Sequence, residues 1–395
     1  MKYISGPYTQ GQLLDNIHKI EMALTQRFKR DGVITDAAEQ KSWRDRVLEA
    51  SLGRNTVMYD DQGNPSMMVV FPLQTEADLL TGASSNPHPA FLVNGATKPQ
   101  LYISKYQCFT TGAGATLRAS SLKHQDPANT ITFDNALLAC NQKGVGWHLM
   151  TNAEWAAIAL WCKKQGFWPR GNNSYGKDYA INSEKGIPGY FSSNNIARVL
   201  TGSGPMAWSH DGGPFGIYDL NGNVNEWVSG LRLNEGEIQI LQNNNAADNT
   251  KDQSAVSAEW KAILQDGTLV APGTADTLKY DSTGADSGSS ADVGDIRLNT
   301  AITNILTNSY ASNTFQTTAA ADGITAPNLL KLLGLFPVDS DHGGDNHYMR
   351  NSGERLSIRG GGWGGTSVAG VFNLYLGYPR SGAIGDIGFR CAFVA

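Results

Sequence analysis

The chain has 395 residues, 41% of them hydrophobic and 17% charged, with a formal net charge of −5. It is long enough for one large domain or two ordinary ones with a sizeable core. No basic stripe is present, which argues against nucleic acid as a partner, and no apolar run approaches the roughly 20 residues that span a bilayer, which argues against membrane insertion. Glycine (44) and tryptophan (9) are both frequent, a mix that favours a loop-rich fold with aromatic anchors over a helical bundle. Met1 to Gln10 lacks the charged and apolar regions of a signal peptide, so the expected location is virion-associated or cytoplasmic. The four cysteines, Cys108, Cys140, Cys162 and Cys391, form no CxxC pair. Buried, reduced thiols are the simplest reading, with one structural disulfide as the alternative.

From Thr9 to Arg30, Leu13, Ile17, Ile20 and Leu24 recur at three- and four-residue steps, which predicts a helix with one apolar face. A second helix is predicted from Thr35 to Leu52. Residues 1–54 therefore form a helical segment that either packs on the rest of the chain or drives self-association. Thr56–Tyr59 and Met67–Phe71 read as strands of a hairpin, joined by the turn residues Asp60 to Pro65. Residues 73–98 read as loop and Leu101–Tyr106 as a strand. One helix is predicted from Asp134 to Lys143, stopped by Gly144. The next has capping-box spacing in Thr151 and Glu154, staple spacing in Met150 and Trp155, and an end at Gly166. Residues 231–350 form an insertion rich in Asn, Ala, Asp, Ser, Thr and Gly. Within it, 271–325 reads either as poorly ordered or as folded over the core. Clear pattern returns at Leu356–Arg359, Val371–Leu374 and Ile387–Phe393.

Five segments occur in order: Tyr102-Ile103-Ser104-Lys105-Tyr106, Trp147 to Trp155, Gly216 to Trp227, Arg359-Gly360-Gly361-Gly362-Trp363 and Ile387-Gly388-Phe389-Arg390-Cys391. Together they resemble the formylglycine-generating enzyme (sulfatase-modifying factor) family. The resemblance implies an α+β C-type lectin fold of that type over residues 55–395, preceded by N-terminal helices and interrupted by the insertion. Arg359 and Arg390 are expected to be buried and to tie loops through directional hydrogen bonds. The family's enzymes use a pair of cysteines between the RGG and GFR motifs. Here Gly362 to Asp386 contains none. Copper-thiolate or thiol chemistry needs sulfur, so the expectation is no catalysis. A related branch holds iron on several N-terminal histidines, where this chain has only His18. His342 and His347 lie in the run Asp339 to His347, whose residue types suit a metal, although a solvated polar loop is the preferred reading. Asp219 and Glu226 match a calcium-binding stretch of some family members, which makes a structural calcium the one cofactor the resemblance implies.

The C-terminal segment also resembles the variable proteins of diversity-generating retroelements. Their frame is present as Arg359, Gly360, Gly361, Trp363, Ala369, Gly370, Val371, Phe372, Leu374, Leu376, Arg380, Ser381, Ile387, Gly388, Phe389, Arg390 and Cys391. The resemblance implies a template rich in asparagine codons whose adenines are randomised on copying. The intervening, ligand-binding positions are then Gly362, Gly364, Gly365, Thr366, Val368, Tyr375, Gly377, Tyr378, Gly382, Ala383, Ile384, Gly385 and Asp386. Randomising the first two bases of an asparagine codon cannot yield Lys, Glu, Gln, Met or Trp, and none occurs there. Asn373 reads as an unchanged template residue or as frame. Intervening side chains should point outward, where substitution costs little stability. Tyr375 and Tyr378 are the best contacts, and Asp386 suits a basic group on the ligand. The many glycines predict weak binding by this variant. Part of the insertion is expected to pack beside the variable loop and stiffen it. The function expected is that of a hypervariable binder of a protein or other surface receptor on a target cell, carried on a phage tail or a bacterium. The alternatives are a fixed-partner structural virion protein and a degenerate enzyme of the formylglycine-generating type.

Overall fold

The computed structural model describes residues 9–395; Met1 to Tyr8, most of the stretch read for a leader, lie outside the described residues. The first helix spans Gln10–Asp31 and opens with a capping box between Thr9 and Gln12. The second spans Ala37–Ala50, capped by the Asp36 side chain. Their apolar faces pack inward: Ile17, Leu24 and Val47 join Val57, Met67, Tyr106 and Trp208 in one buried cluster. Glu21 locks the contact. Its carboxylate accepts from Lys105 Nζ at 2.7 Å and from the Tyr106 hydroxyl at 2.7 Å, all three side chains being buried. Of the two readings of these helices, packing on the domain is the one that uses the apolar stripe.

Two sheets carry the rest. The smaller one is antiparallel and has the order Asn55–Tyr59, Pro65–Pro72, Gln100–Ser104, Cys391–Phe393, Trp147–Leu149. The larger is mixed and runs through Ala311–Thr314, Asn346–Met349, Gly370–Tyr378, Glu354–Gly360, Asn225–Asn234 and Glu237–Leu241, then out through the insertion. The helix Asn152–Gln165 has the predicted capping box and an αL glycine, Gly166, at its end. It is buried on nearly every face, so its sequence shows little amphipathic stripe. Ala157, Ile158 and Leu160 pack with Leu231, Leu374 and Leu376 in the main core.

The chain's last strands join the two sheets. Ile387–Phe389 pairs in parallel with Asn225–Trp227 in the large sheet. One residue later Cys391–Phe393 lies in the small sheet. Arg390 is the step between them, and it is fully buried.

The insertion is folded. Residues 271–325 contribute Lys279–Ser282, Ile296–Asn299 and Ala311–Thr314 to the large sheet, so the reading as a poorly ordered segment is corrected. Its polar residues are the turn makers that fix these short strands. Asp281 accepts the backbone N–H groups of Thr303 and Asn304 at 3.0 Å each, and Asp286 those of Thr307 and Asn308 at 2.7 and 2.9 Å.

The buried histidines set a pH dependence. Burial lowers His88, His124, His210 and His342 to about 4 and His347 to about 3. Each is neutral in the fold but takes a proton in the unfolded chain below about 6.5, so each removes stability as pH falls from there toward 4. Two buried acids act oppositely: burial raises Asp345 to about 7 and Asp219 to about 6, so their protonation favours the fold as pH falls through the same window. Burial lowers His18 as well. Burial raises Asp386, and Glu154 raises His148 despite its burial; these two act with the two acids, so six lowered histidines stand against four raised groups. The midpoint of urea unfolding is expected to fall between pH 7 and pH 5; a midpoint that rises over that interval contradicts the balance.

Candidate ligand-binding surface

The strand Gly370–Tyr378 lies between Asn346–Met349, parallel, and Glu354–Gly360, antiparallel. Phe372, Leu374 and Leu376 point into the main core. Simple alternation would put Tyr375 and Tyr378 on opposite faces. They share one because of a bulge: Leu356 pairs with Tyr378 but Ile358 with Tyr375, so the strand carries an extra residue there. The rings of Tyr375 and Tyr378 stack at 5.1 Å between centroids. Tyr375 stacks in turn on Tyr348 at 3.9 Å and 7° between planes, and Tyr348 on Tyr310 at 4.5 Å. The result is a column of four half-buried tyrosines, two of them supplied by the insertion.

Gly377 sits against this column. A Cβ there would meet the Tyr348 ring at 2.5 Å and the Tyr375 ring at 2.7 Å. Gly377 and Gly362 are both buried, which corrects the expectation that all intervening positions point outward. At Gly362 the obstacles are Asn225 Nδ2 at 3.0 Å and Asp386 Oδ2 at 3.1 Å. Gly377→Asn is expected to destabilise the chain by about 1–3 kcal/mol through overpacking. Replacing Thr366 by Asn is expected to cost within about 0.5 kcal/mol. Denaturant unfolding compares them, and equal losses would contradict the placement.

The remaining intervening positions are exposed or half-buried. Gly364, Thr366, Val368 and Ile384 are exposed; Gly365, Tyr375, Tyr378, Gly382, Ala383, Gly385 and Asp386 are half-buried. Nearly all frame residues are buried, with Trp363 and Arg380 half-buried and Ser381 exposed. The frame is held by specific bonds. Arg359 donates to Asn152 Oδ1 at 2.6 and 3.1 Å and to the Gly334 carbonyl at 3.0 Å. Gly360 and Gly361 both have positive φ, and a Cβ on Gly361 would lie 2.5 Å from that of Ala369, so the double glycine is a backbone requirement. Trp155 Nε1 donates to the Val371 carbonyl at 2.7 Å. Asn373 is buried and its Nδ2 donates to the Val368 carbonyl at 2.9 Å, which holds the exposed turn.

Residues 339–347 are solvated only in part, a second correction: Asp339, Ser340, Asp341 and Gly343 are exposed. His342, Asp345 and His347 are buried. His342 stands edge-on to Phe372 at 4.7 Å, and His347 Nδ1 meets Thr318 Oγ1 at 3.0 Å. Asp345 accepts the Phe372 N–H at 2.7 Å and fills the space where a side chain on Gly370 would go. The run therefore supports the strand Gly370–Tyr378 from behind. Among the described residues no three His, Cys, Asp or Glu side chains converge as metal ligands. Of the donors that the resemblance assigned to calcium, both Glu226 oxygens accept from Arg390, and Asp219 Oδ2 accepts the Gly202 N–H. The thiols Cys108, Cys140 and Cys391 are buried together and Cys162 lies apart; all four are free. Burial raises each of them above the ordinary thiol range, which suppresses the thiolate that nucleophilic chemistry needs.

Sequence reasoning missed the segment beside the loop at residues 362–369. Residues 170–200 make an excursion in which Tyr175, Tyr179, Ile181, Ile187, Tyr190 and Phe191 are all exposed. It touches the variable segment directly. Tyr175 N–H donates to the Trp363 carbonyl at 2.9 Å, and the Tyr175 hydroxyl lies 3.1 Å from where a Cβ on Gly364 would be. The hairpin Phe191–Ile196 turns on Ser193 and Asn194, both with positive φ, the geometry of a tight two-residue turn. The aromatic density of Tyr175, Tyr179, Tyr190 and Phe191 among Gly, Ser and Asn was the available signal.

Residues 89–262 match the family model described as the Sulfatase-modifying factor enzyme 1-like domain, under half of the chain. The α+β fold thus has the formylglycine-generating-enzyme-type core that the ordered motifs implied. No curated protein sequence matches the chain. Among solved structures, PvdO from Pseudomonas aeruginosa is similar at 17% identity and a TM-score of 0.36, over 86% of this chain and 98% of that one. Treponema denticola variable protein 1 is similar at 13% identity and a TM-score of 0.33, over 86% of this chain and 99% of that one. No helix of the described residues is long and apolar enough to cross a membrane.

Proposed function

We propose that this chain is a non-catalytic binding protein whose C-terminal surface is diversified by retroelement copying. One observation carries the reading: burial divides the segment Arg359 to Cys391 almost as the codon frame does. Fourteen of the seventeen frame residues are buried, whereas eleven of the thirteen intervening positions are exposed or half-buried. A surface that varies while its scaffold stays fixed must separate contact from stability, and this segment does so. The absence of cysteine between Gly362 and Asp386 supports a role without thiol chemistry. The partner in this reading is a protein or other surface receptor on a target cell, met from a phage tail or a bacterial surface.

The test is deep sequencing of the last hundred or so bases of the gene across a population, with a search nearby for a near-copy. Substitutions confined to the intervening codons, matched to asparagine codons in the copy, are the expected result. A uniform segment with no copy nearby would instead support a fixed-partner virion protein. The exposed aromatics of residues 175–191 support that second reading, because they lie outside the frame altogether.

A further inference from the structure

We infer that the cleft between the Tyr190 hairpin and Trp363 receives a basic side chain, arginine or lysine, presented by a protein partner, with Asp386 as its counter-charge. The inference rests on the reading of the C-terminal surface as the ligand face, and it names what this particular variant would bind there.

The cleft is open to solvent, with a volume of about 530 Å³. Tyr190 and Trp363 supply aromatic walls; Asn129, Thr130 and Ser192 line the rest, and Asp386 supplies the carboxylate. Aromatic faces attract cations through their quadrupole, and a carboxylate beside them completes a site for an ammonium or guanidinium. Gly385 lines the cleft beside Trp363: the nearest atom to a Cβ built on it is the Trp363 ring at 3.9 Å.

Asp386 is the residue whose charge the fold leaves unanswered. Among the described residues its Oδ2 accepts only from the neutral Asn225 Nδ2, at 3.3 Å. Burial raises its acid above the ordinary carboxylate range, consistent with a charge that lacks a partner. The other charged group in the cleft, Arg198, does not supply one. Its guanidinium is bidentate on Asp126 at 2.8 Å for both bonds and donates to the Gly385 carbonyl at 3.1 Å. It also lies 4.3 Å from the centroid of the Tyr190 ring. Arg198 therefore fixes the hairpin to the variable loop while its own charge is cancelled, and the cleft keeps a net negative charge.

The surroundings select a protein over a free cation. Phe191 is 57% exposed and Ile187 46%, and Ile384, next to Gly385, is exposed as well. A small soluble cation would leave these apolar side chains in water; a protein surface with a basic residue at its centre would cover them.

The test titrates two capped peptides into the full chain, N-acetyl-Gly-Arg-Gly-amide and its citrulline counterpart, which has the same shape without the charge. The Trp363 indole N–H resonance, assigned with Trp363→Phe, is the readout. The arginine peptide is expected to shift it and the citrulline peptide to leave it unmoved. Asp386→Asn is expected to weaken the response at least about tenfold, roughly one charge-assisted contact. Tyr190→Ala, outside the variable segment, is expected to weaken it as well, and unchanged unfolding midpoints certify both variants as folded. A resonance that moves equally with both peptides, stays still with both, or moves undiminished in folded Asp386→Asn overturns the inference. Codon diversity is read separately by sequencing. Failure here therefore leaves the diversified-surface reading standing, and a uniform gene segment leaves the cleft to be judged on its own.

Discussion

A chain lacking residues 271–325 is expected to fail to fold, not merely to lose a surface flap. The segment buries Leu278, Tyr280, Ile296, Leu298, Leu306 and Phe315 in the main core, alongside Leu374 and Leu376 of the variable strand. Each fully buried side chain of this size contributes roughly 1.5–3 kcal/mol. Six of them amount to about 10 kcal/mol or more, which is comparable to the whole stability of an ordinary domain, about 5–15 kcal/mol. The deletion also strips polar ties. The Thr277 hydroxyl donates to Glu237 at 2.6 Å, and the Tyr280 hydroxyl donates to the Leu335 carbonyl. It would turn Asn346–Met349 into an edge strand by removing Ala311–Thr314, and it would take Tyr310 out of the tyrosine column. The expected result is insoluble protein, or a product without a cooperative melt. A deletion product that melts at the parent's temperature, with unchanged amide protection over residues 370–378, would show that the insertion does not brace the variable strand.

That role was only half legible in the sequence. Strands of four residues such as Lys279–Ser282 and Ile296–Asn299 are too short for alternation to register. Each offers two buried apolar or aromatic positions at most, among Asp, Asn, Ser and Thr. Those polar residues look like disorder because their structural work is local: they accept backbone N–H groups at turns, which composition does not reveal. The two N-terminal helices and the helix after Thr151 were readable because caps and three-to-four spacing are local properties of the chain. The variable face was readable only as a list of positions. Tyr310 and Tyr348 join Tyr375 through strand pairing across the insertion, and Tyr378 joins through a bulge that breaks alternation. No spacing rule carries such register. For the same reason Gly362 and Gly377 were grouped with open positions: a glycine that a codon rule permits and a glycine that a neighbouring ring demands are identical in sequence.

Glu226→Gln is expected to destabilise the chain by about 3–5 kcal/mol, although it changes neither size nor shape. Arg390 is fully buried and sits where the chain passes from one sheet to the other. Its guanidinium donates to Glu226 Oε2 at 2.6 Å and Oε1 at 2.5 Å, to the Ser104 carbonyl at 3.1 Å and to the Tyr218 carbonyl at 3.0 Å. One residue thus ties Glu226 of the large sheet, Ser104 of the small sheet and the loop before Trp227. Removing the carboxylate charge leaves a buried cation facing only neutral acceptors, and that uncompensated charge is the cost. Arg390→Met leaves the reverse problem, a buried carboxylate whose remaining side-chain donor is Gln107 at 3.1 Å. The double change Glu226→Leu with Arg390→Met is therefore expected to lose less than either single change, because it removes both charges together. Urea unfolding of the four proteins closes the cycle. Single losses under about 1 kcal/mol, or a double loss equal to their sum, would show that the pair is not a coupled buried unit. The expected outcome has a consequence for the variable segment between Arg359 and Arg390. Both anchors draw their partners from outside that segment: Asn152 and Gly334 for one, Glu226, Ser104 and Tyr218 for the other. Substitution at Thr366, Val368 or Ile384 therefore leaves the bonds that hold the segment's ends untouched, so contact chemistry on the exposed turns can change without unfastening the scaffold.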